Sequence, residues 1–212
     1  IKSMPSALAS TAVGKGYSTE AAIVMHIAQY IRNLGYEAVG SMNDTSLTIP
    51  QAIKAGLGEY GRHNMLITKE FGPRVRVSKI FTNMPLVHDK PEKFGVTEFC
   101  DICRRCYDAC PVDAITDGPP TDTGHNQSSL DHVVKWTTDC EKCFGYWTAL
   151  KTDCAICMRI CPYNKDFSKW YMRAARWLAG TKLRRVMLWL DVKLGYGERD
   201  TPQKWWSGGY QK

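Results

Sequence analysis

No cysteine occurs in the first 99 residues of this chain, and none follows residue 161. Secreted disulfide scaffolds spread their cysteines through a small chain, so that class is set aside. No apolar run approaches the ~18 residues that a membrane-spanning helix needs. The longest candidate, VMLWLDV from Val186 to Val192, is short and broken by Asp191. The opening IKSMPSALASTAVGKG has no apolar stretch behind a basic lead, so it does not read as a secretory signal. It also does not begin with Met, which suggests a processed or trimmed chain, or a piece of a longer one. The first 164 residues carry no net charge. The whole excess of +7 lies between Lys165 and Lys212, where eleven Lys and Arg face four Asp and Glu. Such a segment suits an acidic partner, a membrane surface, nucleic acid, or simply a solvated helix face. The remaining composition, 212 residues with 44% hydrophobic and 23% charged, is that of one large globular domain or two small ones.

All nine cysteines therefore crowd into the stretch from Cys100 to Cys161. FCDICRRCYDACP has the spacing C-x2-C-x2-C-x3-C with a proline after the last. Zinc usually takes two separated C-x2-C pairs per ion, which this run does not supply. It is the bacterial iron–sulfur run, in which the fourth cysteine ligates the other cluster of a two-cluster protein. A second motif should then follow, and DCAICMRICP places Cys154, Cys157 and Cys161 before Pro162. By this crossing rule, Cys100, Cys103, Cys106 and Cys161 hold one [4Fe–4S] cluster. Cys110, Cys154, Cys157 and an upstream cysteine, Cys140 or Cys143, hold the other. Eight ligands leave one spare thiol. Two adjacent clusters form a path for single electrons, whose destination must be sought in residues 1–95.

The pattern there reads as mixed α and β. A helix is expected from a cap at Ser18 or Thr19 through Leu34, with Ile23, Ile27, Ile31 and Leu34 on one face and Gly35 as its stop. YEAVG reads as a short strand entering the loop SMNDTS. Pro50 opens a second helix that ends near Gly56 and Gly58. NMLIT and RVRVSKIFTN read as a hairpin through KEFGP, with Val75, Val77 and Phe81 on one face and Arg74, Arg76 and Ser78 on the other. Beyond the cysteines, TKLRRVMLWLDVKLG reads as an amphipathic helix from Thr181 to Gly195. Leu183, Val186, Met187 and Leu190 share a face expected to pack back on the N-terminal unit.

Taken together, GLGEYGRHNMLITKEFGPRVRVSKIFTNMPLVHDKPEKFGVTEFCDICRRCYDACP, then HNQS and KCFGYW…CAICMRICPYNK, resemble the C-terminal half of the corrinoid-dependent reductive dehalogenases of organohalide respiration. The likeness runs from about Gly16 to Lys165. A weaker one is to epoxyqueuosine reductase. The resemblance implies an α+β chain: residues 1–95 as part of a nitroreductase-like α/β domain binding a base-off, cobalamin-type corrinoid, 96–165 as a ferredoxin-like domain with two [4Fe–4S] clusters, and 166–212 as a basic helical extension. It implies Tyr17 of KGYSTEA as proton donor at a helix start, Asn43 of SMND to orient the phenol or the substrate, and Arg76 of FGPRVR to stabilise the phenolate. Ser41 and Met42 would join Tyr17 and Asn43 around the corrinoid. The cysteine of KCFGYW, Cys143, becomes the eighth cluster ligand and Cys140 the spare thiol.

The implied reaction replaces a halogen by hydrogen. Cleaving carbon–halogen needs a donor as strong as Co(I), which no side chain supplies, with electrons arriving through the clusters. The expected partners are a small organohalide, a low-potential electron donor, a small membrane-anchor protein and a second copy of the chain, with nucleic acid not expected. The expected setting is anaerobic and membrane-associated, at the outer face of the cytoplasmic membrane after export. Relatives are longer, with an export signal and an N-terminal region that completes the corrinoid cavity. Two other classes stay open: a tRNA-modifying enzyme like epoxyqueuosine reductase, with Asp44 as the nearby carboxylate, and a plain two-cluster electron carrier.

Overall fold

The computed structural model describes residues 1–208; the last four residues of the basic extension lie outside it. The first helix, α1, runs Ala7–Asn33 and starts well before the expected cap. Ser6 caps it by accepting from the Ala9 amide at 3.2 Å. Ser18 and Thr19 are interior, and their hydroxyls donate back to the carbonyls of Gly14 and Lys15. The alanine-rich ALASTAV stretch is a strong helix former and carries the helix through Gly14 and Gly16. Tyr17 thus lies mid-helix. The far end is as expected: Leu34 is the C-cap and Gly35 follows at φ +92°.

The buried stripe of α1 is Glu20, Val24, Ala28 and Ile31. Of the expected face only Ile31 is inside; Ile23, Ile27 and Leu34 are about half exposed. The cause is close packing on β1 (Ala38–Ser41). A Cβ on Gly40 would stand 3.2 Å from a Val24 methyl, so small residues face the strand and larger ones turn outward.

α2 (Thr48–Lys54) carries Pro50 in its first turn. The expected hairpin does not form. β3 (Leu66–Ile67) pairs with β2 (Glu59–Tyr60) through the tight loop at Gly61–Met65, while β4 (Lys79–Thr82) pairs antiparallel with β1, Val39 opposite Phe81. Residues 74–78 are irregular, although the alternation survives in part: Val75 and Val77 are half-buried, Arg74 and Arg76 exposed. Thr68 and Gly72 close a small loop that points at the cysteine region instead. A Cβ on Gly72 would fall 2.0 Å from the Tyr163 carbonyl, so only glycine admits this approach.

Six further helices follow: α3 (Val96–Cys103), α4 (Arg105–Asp108), α5 (Cys140–Leu150), α6 (Ile156–Ile160), α7 (Trp170–Ala179) and α8 (Arg184–Lys193), with a last turn α9 (Pro202–Trp206). The main core gathers Ile67, Val96, Phe99, Cys100, Trp136, Cys161, Tyr163, Phe167, Ala179 and Met187. It therefore draws on all three expected segments. α8 packs on the cysteine region and not on the N-terminal unit. Met187 and Asp191 turn inward, and Leu183 and Val186 lie half exposed. Asp191 is drawn inside by two cations, which overrides the apolar stripe. Among the described residues no helix is long and apolar enough to cross a membrane.

Two buried charges join the halves. Glu59 accepts from the amides of Phe94 and Val96, at 2.5 and 3.2 Å, and so closes the N-terminus of α3. Arg62 donates to the carbonyls of Cys100, Thr116, Asp117 and Gly118 and stacks on Trp136.

Candidate metal centres and the adjoining cleft

The C-x2-C steps place Cys100 and Cys103 one turn apart on α3, facing the same way. Arg104, at φ +53°, then breaks the helix so that Cys106 on α4 turns back toward them. Ala155, at φ +47°, does the same between Cys154 and α6, which carries Cys157 and ends at Cys161. α5 starts under the Asp139 cap, whose side chain accepts from the Lys142 amide, and presents Cys143 in its first turn.

No cysteine is paired in a disulfide. The thiols instead perturb one another in two groups. Burial, then Cys100, Cys103 and Cys106, raise Cys161 well above the ordinary thiol value. Burial, then Cys154 and Cys143, and further Cys110, push Cys157 up to about 12. Burial, then Cys154, Cys110 and Cys140, push Cys143 up to about 11, so Cys140 adjoins this second group. Cys106 is pushed up to about 12 by burial, by Cys103, and by Cys157 of the other group, so these two mark where the groups meet. Cys140 is raised mainly by burial and its thiol donates to the Thr138 carbonyl.

Among the described residues no three His, Cys, Asp or Glu side chains converge on one ion. A single tetrahedral zinc would require that, with sulfurs ~2.3 Å from the metal. A cubane holds its thiolates at four separate corners and does not. The donors are all thiols, four to a group, without carboxylate or imidazole. That set suits iron–sulfur ligation, and ligation would expel the protons that burial now retains.

The group of Cys110, Cys143, Cys154 and Cys157 lines a cleft of about 1070 Å³, closed on its other sides by α1, the His63–Met65 loop and residues 74–76. This is the upper end of ordinary ligand-site volumes, ~300–1,000 Å³, and fits a large cofactor. Tyr17 and Arg76 both line it, and the Arg76 guanidinium lies over the Tyr17 ring, 4.0 Å from its centre. The three other residues expected at the site lie outside the cleft lining, Ser41 as the last residue of β1 and Met42 and Asn43 on the loop after it. Asn43 is exposed; Ser41 donates to Asp44 at 2.9 Å; Lys79 holds the loop by donating to the Met42 carbonyl at 2.7 Å. His63 lines the cleft with both ring nitrogens covered and unpartnered, and burial holds it neutral, down to about 4.

Four charged groups escaped the sequence reading: Glu59, Arg62, Lys165 and Asp191, all buried. Only Asp191 left a signal there, as a lone acid four residues after Met187 in an apolar run.

Residues 99–164 match the model of the 4Fe-4S double cluster binding domain. The chain is 40% identical over 98% of its length to the tetrachloroethene reductive dehalogenase of Sulfurospirillum multivorans, 42% of which it covers. A solved reductive dehalogenase, reported with a mechanism for B12-dependent dehalogenation, superposes with TM-score 0.70 at 31% identity, over 82% of this chain and 25% of that one. The epoxyqueuosine reductase of Cyclobacterium marinum is 31% identical over 56% of this chain and 36% of its own length. The chain thus spans about two fifths of the dehalogenase it matches over most of its length.

Proposed function

The chain is a homologue of the reductive dehalogenases, and on that premise we propose that it is the cluster-bearing, cofactor-facing part of an enzyme that replaces the halogen of a small organohalide by hydrogen. One observation carries this: Arg76 lies over Tyr17 in a cleft whose opposite wall is the second group of cysteines. An acid and a site for low-potential electrons then face one volume.

Cys100, Cys103, Cys106 and Cys161 hold one [4Fe–4S] cluster, and Cys110, Cys143, Cys154 and Cys157 the other. The mutual perturbation of the thiols supports this division. Cys140 is spare. Bound clusters supply single electrons, and a bound corrinoid supplies low-valent cobalt able to break the carbon–halogen bond. The base-off form is taken by likeness to the family, and His63, which lines the cleft with both ring nitrogens covered, would serve as wall and not as a ligand. The protein's own part is proton delivery. Tyr17 donates from its hydroxyl, and the guanidinium over the ring stabilises the negative charge left on the phenolate. By likeness to the family alone, Asn43 orients the phenol or the substrate and Ser41 and Met42 join it at the corrinoid edge, from the end of β1 and the loop beside the cleft. A low-potential donor, a small membrane-anchor protein, a homodimer and an outer-face location after export complete the reading by likeness to the family.

The Tyr17→Phe variant tests it. It should keep iron, sulfide and corrinoid at parental content but lose ~10²–10⁴-fold in dehalogenation, the usual weight of a general acid. Parental turnover with intact cofactors would move the proton donor elsewhere. A second reading, reduction of an epoxide on tRNA, is favoured by the epoxyqueuosine reductase relative and the basic segment after Lys165. It calls for a carboxylate acid: Asp44 lies outside the cleft lining, as its neighbour Asn43 does, while Asp153 lines the cleft. Binding of a tRNA stem-loop by the parent, with Tyr17→Phe fully active on it, would favour that second reading.

A further inference from the structure

The two groups of cysteines sit in different electrical surroundings. Beside the first, the buried Arg62 donates to the Cys100 carbonyl at 3.1 Å, and Arg105 precedes Cys106 on α4. Lys165, also buried, lies four residues after Cys161. Against these cations stands one carboxylate, Asp191, fully buried between Arg105 and Lys165, whose ammonium lies 2.6 Å from it. Arg105 also donates to the Tyr196 carbonyl at 2.7 Å, and Lys165 stands 3.7 Å from the Tyr196 ring centre, so neither cation is free to swing away. Around the second group the charges balance. Asp139 caps α5 beside Cys143 and pairs with Lys142 at 3.8 Å, while Asp153 adjoins Cys154 and Arg159 lies on α6 between Cys157 and Cys161.

Resting on the two-cluster reading above, we propose that this asymmetry orders the two reduction potentials: the cluster of Cys100, Cys103, Cys106 and Cys161 is the more easily reduced, and Asp191 is the positioning residue that restrains the difference. Each cluster gains one negative charge on reduction, with no bond made or broken in the protein. Nearby cations stabilise that charge, and nearby anions oppose it. Burial by itself works the other way, because the first group lies within the main core while the second faces the cleft, and a dry site disfavours added charge. The same dryness strengthens each fixed charge, though. Little solvent screens such charges there. Three cations against one carboxylate leave a net positive surrounding that acts against the burial cost and sets the order. An electron entering the chain then rests in the core cluster and reaches the cleft-side cluster by a step up in energy, which keeps the cleft from being reduced before its acid and substrate are in place.

The experiment is a potentiometric titration of the anaerobically reconstituted chain, read by electron paramagnetic resonance. The parent should give two separate waves. Asp191→Asn, equal in shape but uncharged, should move the upper wave further up and leave the lower one in place. Arg105→Gln should move that same upper wave down, toward the lower one. Lys165→Gln, on the other side of the carboxylate, should repeat the downward shift and stands in if the arginine variant does not fold. If the wave that moves is the lower one, the ordering is inverted and the proposal falls. Equal displacement of both waves, or shifts of one sign in all variants, overturns it as well. A parent that takes up iron and sulfide for only one cluster overturns the two-cluster reading, and this one with it.

Discussion

The core around Phe99 and Tyr163 and the core between α1 and the β1–β4 pair are built on different scales. The first gathers ten buried residues from six parts of the chain, with Phe99 and Tyr163 ring edge to ring face at 5.4 Å. The second has three, Ala28, Ile31 and Ala38, with Ile80 and Met84 at its margin. Its outer faces stay apolar and open: Val39 is 65% exposed and its cross-strand partner Phe81 46%. The lesson is that the two sides of the cleft are held differently. The cysteine side is closed by its own apolar burial and by buried ion pairs. The Tyr17 side is a single helix on a two-stranded ribbon, and isolated ribbons of that kind are marginal in water. Its position depends on ties such as Ser78 donating to Glu20 at 2.8 Å and Arg32 donating to the Ala38 carbonyl at 2.7 Å.

The sharpest way to break this comparison is to remove metal from one side. Cys110→Ser should halve the iron bound by the reconstituted chain. The cluster lost should be the one shared with Cys154 and Cys157, not the one held by its sequence neighbours at 100–106. Cys143→Ser should do the same, and Cys140→Ser should keep all the iron. Loss of iron in Cys140→Ser with none in Cys143→Ser would reverse the choice between them. Iron and labile-sulfide analysis reads all three.

Next in size is the packing itself. Phe99→Ala should cost ~3–5 kcal/mol in urea unfolding, as large cavities in closed cores do, whereas Ile31→Val in the thin core should cost only ~0.5–1.5 kcal/mol. Comparable losses at the two sites would mean that the ribbon side is as well supported as the cysteine side.

Smaller than the Phe99 loss is an electrostatic effect that belongs to the seam. His63 is neutral and buried, its folded value depressed to about 4 from an ordinary 6.5. The unfolded chain therefore binds a proton here that the folded chain refuses. Stability is whole above about pH 6.5 and is lost as the pH falls toward 4. At 1.36 kcal/mol per pH unit, the drop from pH 7 to pH 5 amounts to ~2 kcal/mol. His63→Gln, measured in the same metal state, should flatten that part of the urea-midpoint profile. An unchanged slope would show that the imidazole is solvated.

The sequence alone determined what is local. The cysteine spacings put Cys100 and Cys103 on one side of α3, because one helical turn separates residues three apart, and a proline ends each run, but spacing left Cys140 and Cys143 as equal candidates. The stop of α1 at Gly35 was legible for the same reason, since a positive φ is cheap only there. Tertiary structure decided the rest. The more apolar stripe of α1 stayed largely outside, and Val24 and Ala28 went inside with Glu20 because small side chains let the helix lie against Gly40 and Ser78 gives Glu20 a partner. NMLIT and SKIFT are both good strands, and their partners came from elsewhere in the chain, since pairing depends on what lies alongside. Residues 59 apart in sequence, Tyr17 and Arg76, stack because α1 crosses the segment before β4. The buried Arg105–Asp191–Lys165 set joins α4 to α8 through charges that look like ordinary surface residues when read singly. Only the fold removes them from water, and it is the loss of water that makes their arrangement matter.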